Sequence, residues 1–275
     1  METVAGKKIL ITGAAMGMGK LYAELAVREK AGAVVLWDVN QTALDETVAE
    51  LKAAGGTVFS YVVDVSSLED IEKNAAQVQR DIGDIDLLFN NAGIIRGKYF
   101  WDHDNRRDIW MTMAVNSLGI MYIARAFLPA MITGGRQSRI VNIASAAGTV
   151  SNPRMSVYCA SKWAAIGWSD SLRLELEQAG HKHVKITTVM PSYISTGMFE
   201  GVKAPLMTPI LTPQIVVDKV WAAMKVGKAQ LTLPWTVRLA MLSRGLLPLR
   251  LWDFIADKIF HIYSSMEHFT GGRPS

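Results

Sequence analysis

The chain has 275 residues and a mass of 30.2 kDa, with half of its residues hydrophobic and a fifth charged. That is enough for one large α/β domain with a full core, and it excludes wholesale disorder. The net charge of +4 is compatible with an anionic ligand or a membrane surface. No Lys/Arg block interleaves with aromatics, so a nucleic-acid partner is not expected.

Strand-like and helical runs alternate for most of the length, as in a parallel sheet covered on both faces. Lys8–Thr12 reads as a strand, too short for a signal-peptide core, and Lys20–Lys30 as a helix. Ala33–Trp37 is the next strand, and Gln41–Ala54 is a helix that stops at Gly55-Gly56. Thr57–Val63, Leu68–Ile82 and Leu87–Asn90 follow as strand, helix and strand, and a long helix is predicted over Asp104–Met131. Ile140–Ala144, Tyr158–Ala179 and Lys185–Met190 continue the pattern. The Pro- and Met-rich stretch Ser195–Pro213 breaks it and reads as a lid-like loop. No repeat or linker divides the chain, so a single domain is expected over 1–275, with a core to about residue 230 and a helical extension over 231–269. Cys159 is the one cysteine, which rules out an internal disulfide and predicts a packed thiol in a reducing, cytoplasmic setting.

Thr12-Gly13-Ala-Ala-Met16-Gly17-Met18-Gly19 follows the first strand and opens a helix. Glycines there permit a tight turn and let a pyrophosphate reach backbone N–H groups at the positive helix end. Asp38 ends the second strand, where a carboxylate can accept from ribose hydroxyls and would repel a 2′-phosphate. Neither Met16 nor Val39 is basic, so NAD is preferred over NADP. Asp64 and Val65 close the third strand, where they could hold an adenine; a strand-end acid leading into the next helix is an equal reading.

Tyr158 and Lys162 stand four residues apart, with Ser145 upstream. On a helix the pair shares one face. An ammonium beside a phenol favours the phenolate, and a tyrosine so tuned can exchange a proton with an alcohol or carbonyl.

Together these motifs resemble the short-chain dehydrogenase/reductase family over roughly residues 5–200. They run in order through Thr12-Gly13-x-x-x-Gly17-x-Gly19, Asp64, Asn90-Asn91-Ala92-Gly93, Asn116, Ser145, Tyr158-x-x-x-Lys162 and Pro191. The resemblance implies a Rossmann-type doubly wound parallel sheet. It also implies hydride transfer with Tyr158 as acid/base, Ser145 holding the reacting oxygen, and Lys162 holding the nicotinamide ribose. Asn116 would continue a proton path; Asn91, Ala92 and Gly93 would flank the adenosine side; Ile194 and Thr196 would meet the nicotinamide carboxamide. One position departs: the family usually has glycine after the proline where this chain has Ser192. A non-catalytic nucleotide-binding scaffold is the alternative on the same fold, and an epimerase-type enzyme is a third; Tyr158 and Lys162 both being present argues against the scaffold.

Met155, Tyr193, Met198 and Phe199, with Leu206, Met207, Ile210 and Leu211, predict an apolar pocket and lid for a lipophilic alcohol or ketone, although the same residues could simply pack on the sheet. A weaker resemblance points to hydroxysteroid and retinol dehydrogenases. The family implies a homodimer or homotetramer through the two long helices, with Trp163, Trp168 and Leu172 offering apolar surface. In the tail, Trp252, Ile255, Ile259 and Ile262 recur at helical spacing, and Arg238, Arg244, Arg250, Pro234 and Pro248 exclude an ordinary spanning helix. The stripe is expected to close over the pocket or a neighbouring subunit, with peripheral membrane contact as the other reading.

Overall fold

In the computed structural model, which describes residues 1–271, β-branched and aliphatic runs form seven strands. They are β1 (Lys8–Thr12), β2 (Ala33–Asp38), β3 (Val58–Val62), β4 (Leu87–Asn90), β5 (Ser138–Ile143), β6 (Val184–Pro191) and β7 (Gln230–Leu233). They pair in the order β3-β2-β1-β4-β5-β6-β7, and every pairing is parallel. The order reverses between β1 and β4, which opens a crevice at their carboxyl ends, where doubly wound sheets hold ligands.

The connecting helices are α1 (Gly17–Arg28), α2 (Gln41–Ala53), α3 (Leu68–Asp81), a long α4 (Asn105–Thr133), α5 (Ser156–Gln178) and α6 (Pro213–Val226). Two more follow the last strand, α7 (Thr236–Leu246) and α8 (Leu249–Phe254), the latter running into a π-helical turn at Ile255–Ile259. Helices α1 and α6 cover one face, where Tyr22, Phe89 and Trp221 stack in succession at 4.8 and 5.6 Å. Helices α3 to α5 cover the other, around Trp37, Ile71 and Phe127. By length and composition α4 could cross a membrane. Here Ile123, Ala124, Phe127 and Met131 press its apolar face onto the sheet.

Several boundaries differ from the sequence reading. Helix α1 begins within the glycine motif, three residues earlier than the periodicity suggests, because the loop glycine Gly17 is its first residue. Strand β7 and helix α6 were not among the predicted elements, although Thr212 caps α6 by accepting from Ile215 N and Pro213 opens it. The sheet therefore reaches Leu233, into residues assigned to the extension. The tail stripe is also shifted: Trp252 and Ala256 are buried while Ile259 is exposed, because a π turn adds a residue to the repeat. The last four residues of the expected 1–275 domain lie outside the described residues.

A buried polar chain ties the sheet to α5. Asn90 Nδ2 donates to Asn142 Oδ1 at 2.8 Å, Asn142 Nδ2 donates to Ser169 Oγ at 2.9 Å, and Ser169 Oγ donates to the Ala165 carbonyl at 2.6 Å. An apolar residue at 142 would leave the buried Asn90 amide with only its long 3.4 Å bond to the Ile120 carbonyl. Asn142→Leu is expected to lower unfolding stability by about 1–3 kcal/mol, read as a lower denaturant midpoint at unchanged slope.

Candidate active site

The glycine motif is built around close approach. Gly13 sits at φ +61°, and a Cβ there would come within 3.0 Å of the Ala92 backbone. A Cβ on Gly19 would collide with the Gly13 carbonyl, so only glycine lets α1 lie this close to β1. The N-cap residue of α1, Met16, offers no side-chain cap, and no acid stands in the first turn. The amides of Gly17, Met18 and Gly19 thus suit a phosphate, which is the fit a dinucleotide requires. Thr12 Oγ1 accepts from both Asn91 N and Ala92 N at 3.0 Å, and Asn91 Nδ2 donates to the Thr12 and Gly13 carbonyls. The asparagine segment thereby locks the loop to the sheet.

Asp38 is buried at the end of β2, accepting from Ala15 N at 2.9 Å and from Asn40 N at 3.1 Å. Its charge is held beside the glycine loop, and Val39 next to it is exposed. Asp64 lies two residues beyond β3 and is exposed; it accepts from Ser66 N at 2.8 Å and so shapes the turn into α3. Val65 is buried, its carbonyl against Gly119 of α4.

Asn116 sits in a π-helical turn of α4 (Ala114–Gly119). Its side chain mimics a strand partner: Oδ1 accepts from Ile94 N and Nδ2 donates to Ile94 O, both at 2.9 Å, and Nδ2 also donates to Ser161 Oγ at 3.0 Å. The extra residue of a π turn turns Asn116 toward the site, a placement that apolar periodicity does not reveal. Gly93 leaves room beside it, since a Cβ there would come 3.3 Å from Asn116 Oδ1 and 3.5 Å from Lys162 Nζ.

Ser145 lies two residues beyond β5 in extended backbone, beside Tyr158 in one cavity; its Oγ accepts from Ala147 N. Tyr158 and Lys162, one turn apart on α5, are both buried, with Nζ 5.7 Å from the ring centroid. Lys162 Nζ donates to the Ile143 carbonyl at 2.8 Å. Here the electrostatics depart from expectation. Burial pushes the Tyr158 phenol well above its ordinary range, outweighing the downward pull of Ser145. The same burial brings Lys162 down to about 8. Desolvation wins because the ammonium is engaged by a carbonyl rather than by the phenol oxygen. Cys159 behaves as a packed thiol, pushed up to about 11 by burial.

Two cavities meet at this point. One, of about 460 Å³, brings together Met18, Asn91, Gly93, Ser145, Tyr158, Lys162, Pro191, Ile194, Thr196, Met198 and Phe199. The second, of about 610 Å³, is walled by Ser145, Met155, Tyr193 and Phe199, by Ile262 of the predicted tail stripe, and by Val237 and Ala240, which the sequence reading did not single out. Ser145, Ser192 and Phe199 belong to both. Ser192, the departure from the family pattern, donates its N–H to the Leu233 carbonyl at 2.7 Å, so pairing with β7 fixes the turn that glycine would otherwise relax. Of the expected lid residues, Leu206 and Met207 line a third cavity farther out, Leu211 packs against the core, and Ile210 is exposed. Asn152 was also missed: its Nδ2 donates at 2.9 Å to Tyr193 Oη and to Ser265 Oγ, which joins the pocket wall to the tail. The tail stripe was expected to close over the pocket or a neighbouring subunit, and its Ile262 lines the pocket.

The short chain dehydrogenase family model matches residues 7–206. Epidermal retinol dehydrogenase 2 of Mus musculus is 37% identical over 274 residues, covering 98% of this chain and 87% of the relative. Estradiol 17-beta-dehydrogenase 11 of Homo sapiens is 36% identical over 259 residues, covering 94% and 85%. A short-chain dehydrogenase/reductase from Burkholderia phymatum, solved in complex with NAD, superposes with a TM-score of 0.80 at 28% identity, covering 90% of this chain and 96% of that one. An archaeal alcohol dehydrogenase from Thermococcus sibiricus, solved with 5-hydroxy-NADP, gives 0.72 at 25% identity, covering 82% and 95%. The glycine loop, the Ser145–Tyr158–Lys162 cluster and these matches agree: the chain belongs to the short-chain dehydrogenase family.

Proposed function

We propose that the protein is an NAD-dependent oxidoreductase that interconverts a lipophilic alcohol, preferably secondary, and its carbonyl. One observation carries the reading: Ser145 stands at the boundary between the cavity that holds Tyr158 and Lys162 and the apolar pocket of about 610 Å³. A nicotinamide cofactor supplies the hydride acceptor or donor. It would lie along Gly13, Met16, Gly17, Met18, Gly19 and Asp38, past Asn91, Ala92 and Gly93, to Pro191, Ile194 and Thr196, with Asp64 and Val65 on the adenine side. The retinol and estradiol dehydrogenases among the relatives support a lipophilic substrate.

In the oxidising direction Tyr158 takes the hydroxyl proton while Ser145 donates a hydrogen bond to the same oxygen and stabilises charge developing there. Lys162 supplies positive charge beside the phenol and donors for ribose hydroxyls. Asn116 braces the Ile94 segment, and its Oδ1 faces the same gap beside Gly93 as the Lys162 ammonium, a suitable place for a proton relay. Met155, Tyr193, Met198 and Phe199 shape the apolar wall. Copies are proposed to pair through α4 and α5 in the cytoplasm; sedimentation should then give a multiple of 30.2 kDa, and a lone monomer at micromolar concentration would refute it.

Tyr158→Phe should bind cofactor normally, by fluorescence titration, yet lose roughly a hundredfold or more in turnover. The pH profile follows from the raised phenol. Oxidation needs the phenolate, so its rate should climb as pH rises toward the alkaline range. Reduction needs the phenol, so its rate should stay level through neutral pH. A panel of steroid, retinoid and long-chain alcohols, followed by NAD reduction, tests the substrate class; no turnover of any of them sinks the reading. The same assay should show higher kcat/KM with NAD than with NADP, and Asp38→Ala should narrow the gap.

A further inference from the structure

The segment after β6 and the tail are zipped together. Leu206 N donates to the Phe260 carbonyl, Lys203 N to the Ser265 carbonyl, and Thr270 N to the Glu200 carbonyl. Beyond the substrate pocket, across the shared walls Thr208, Thr236, Ala240 and Ile262, lies the third cavity of about 440 Å³, with Leu206, Met207 and Leu239 on its rim. These three are exposed, so the outer cavity meets the surface at α7.

That surface is apolar to an unusual degree. Trp235, Leu242, Leu246, Leu249 and Phe254 are each more than half exposed, Leu246 at 81%. Monomeric surfaces rarely carry so many large apolar side chains in one place without a partner. The charged side chains on α7 and up to Trp252 are Arg238, Arg244 and Arg250, with no acid among them, and Arg238 and Arg250 are exposed. The next acids are engaged: Asp253 accepts from Tyr263 Oη, and Asp257 pairs with Lys258 at 2.8 Å.

We propose that α7 and α8 form a docking surface for an anionic lipid bilayer, and that the outer cavity admits lipophilic substrate from it. Apolar side chains flanked by cations match the acyl and headgroup layers of such a surface, and Trp235 suits their boundary. A second copy fits less well, because a two-fold contact would set this cationic stretch against itself. The entry route rests on the alcohol-oxidoreductase reading; the docking surface does not.

Full-length protein should float with vesicles of phosphatidylcholine mixed with phosphatidylserine, and less with phosphatidylcholine alone. Arg238→Gln and Arg250→Gln should each weaken binding about fivefold. A Leu242→Glu, Leu246→Glu double variant, which alters no pocket wall, should abolish flotation at an unchanged thermal midpoint. It should also lose turnover of a vesicle-borne long-chain alcohol while keeping turnover of a short water-soluble one. Absence of flotation from either lipid, or undiminished flotation of the double variant, overturns the docking surface. So does a loss of self-association rather than of lipid binding. Undiminished turnover of the vesicle-borne alcohol by the double variant overturns the entry route. An enzyme inactive on every alcohol would refute the reaction while flotation still decided the surface.

Discussion

Lys162 is an ammonium withdrawn from water at the carboxyl edge of the sheet, and the site is arranged around its discomfort. The Ile143 carbonyl accepts one of its protons, but a neutral acceptor compensates a buried charge only partly, which is why burial lowers its pKa. Anything that brings negative charge or further acceptors near Nζ is favoured there. Desolvation raises the Tyr158 phenol and depresses the lysine at once. The two groups are thus pushed apart in acidity: burial holds the proton on the phenol and makes the ammonium the readier donor.

Holding a buried cation and phenol in register demands rigid supports, and the fold provides them from several directions. Strand β5 contributes the Ile143 carbonyl and leads into Ser145, and α5 contributes the pair itself. The π turn in α4 lets Asn116 clasp the Ile94 backbone on both its N–H and its carbonyl. Thr12 and Asn91 fasten the glycine loop to the end of β4. Of these supports only Ser145 also lines the larger apolar pocket, whose outer wall comes from residues after β6.

Much of this frame was legible in the sequence because it is written in local chemistry. The bounds of β1 and β4 follow from apolar runs, and the glycine motif, Asp38, Ser145, Tyr158 and Lys162 announce themselves by type and spacing. What was not legible depends on contacts between distant segments. Strand β7 is only four residues long and became a strand by pairing with β6. The π turns cannot be read from a 3.6-residue period. The lowering expected for the Tyr158 phenol does not appear, because spacing shows the lysine but not that its ammonium is engaged by the Ile143 carbonyl. Val237 and Ala240 carry no motif, yet they help close the pocket.

The hydrogen bonds from Asn152 to Tyr193 and to Ser265 have a consequence for how this chain can change. On the proposed reading binding shape and bond-making reside in different stretches: the proposed acid/base cluster lies before Pro191, whereas much of the pocket's outer contour is set by residues after it, from Tyr193 to Ile262. Ser265 is the rivet between them, contributed from near the carboxyl terminus. Exchanging the stretch after Pro191 between relatives would carry substrate choice with it, provided the incoming segment brings a hydroxyl or amide to receive Asn152. Without one, a buried amide would be stranded, and the graft would fail through instability before its selectivity could be seen.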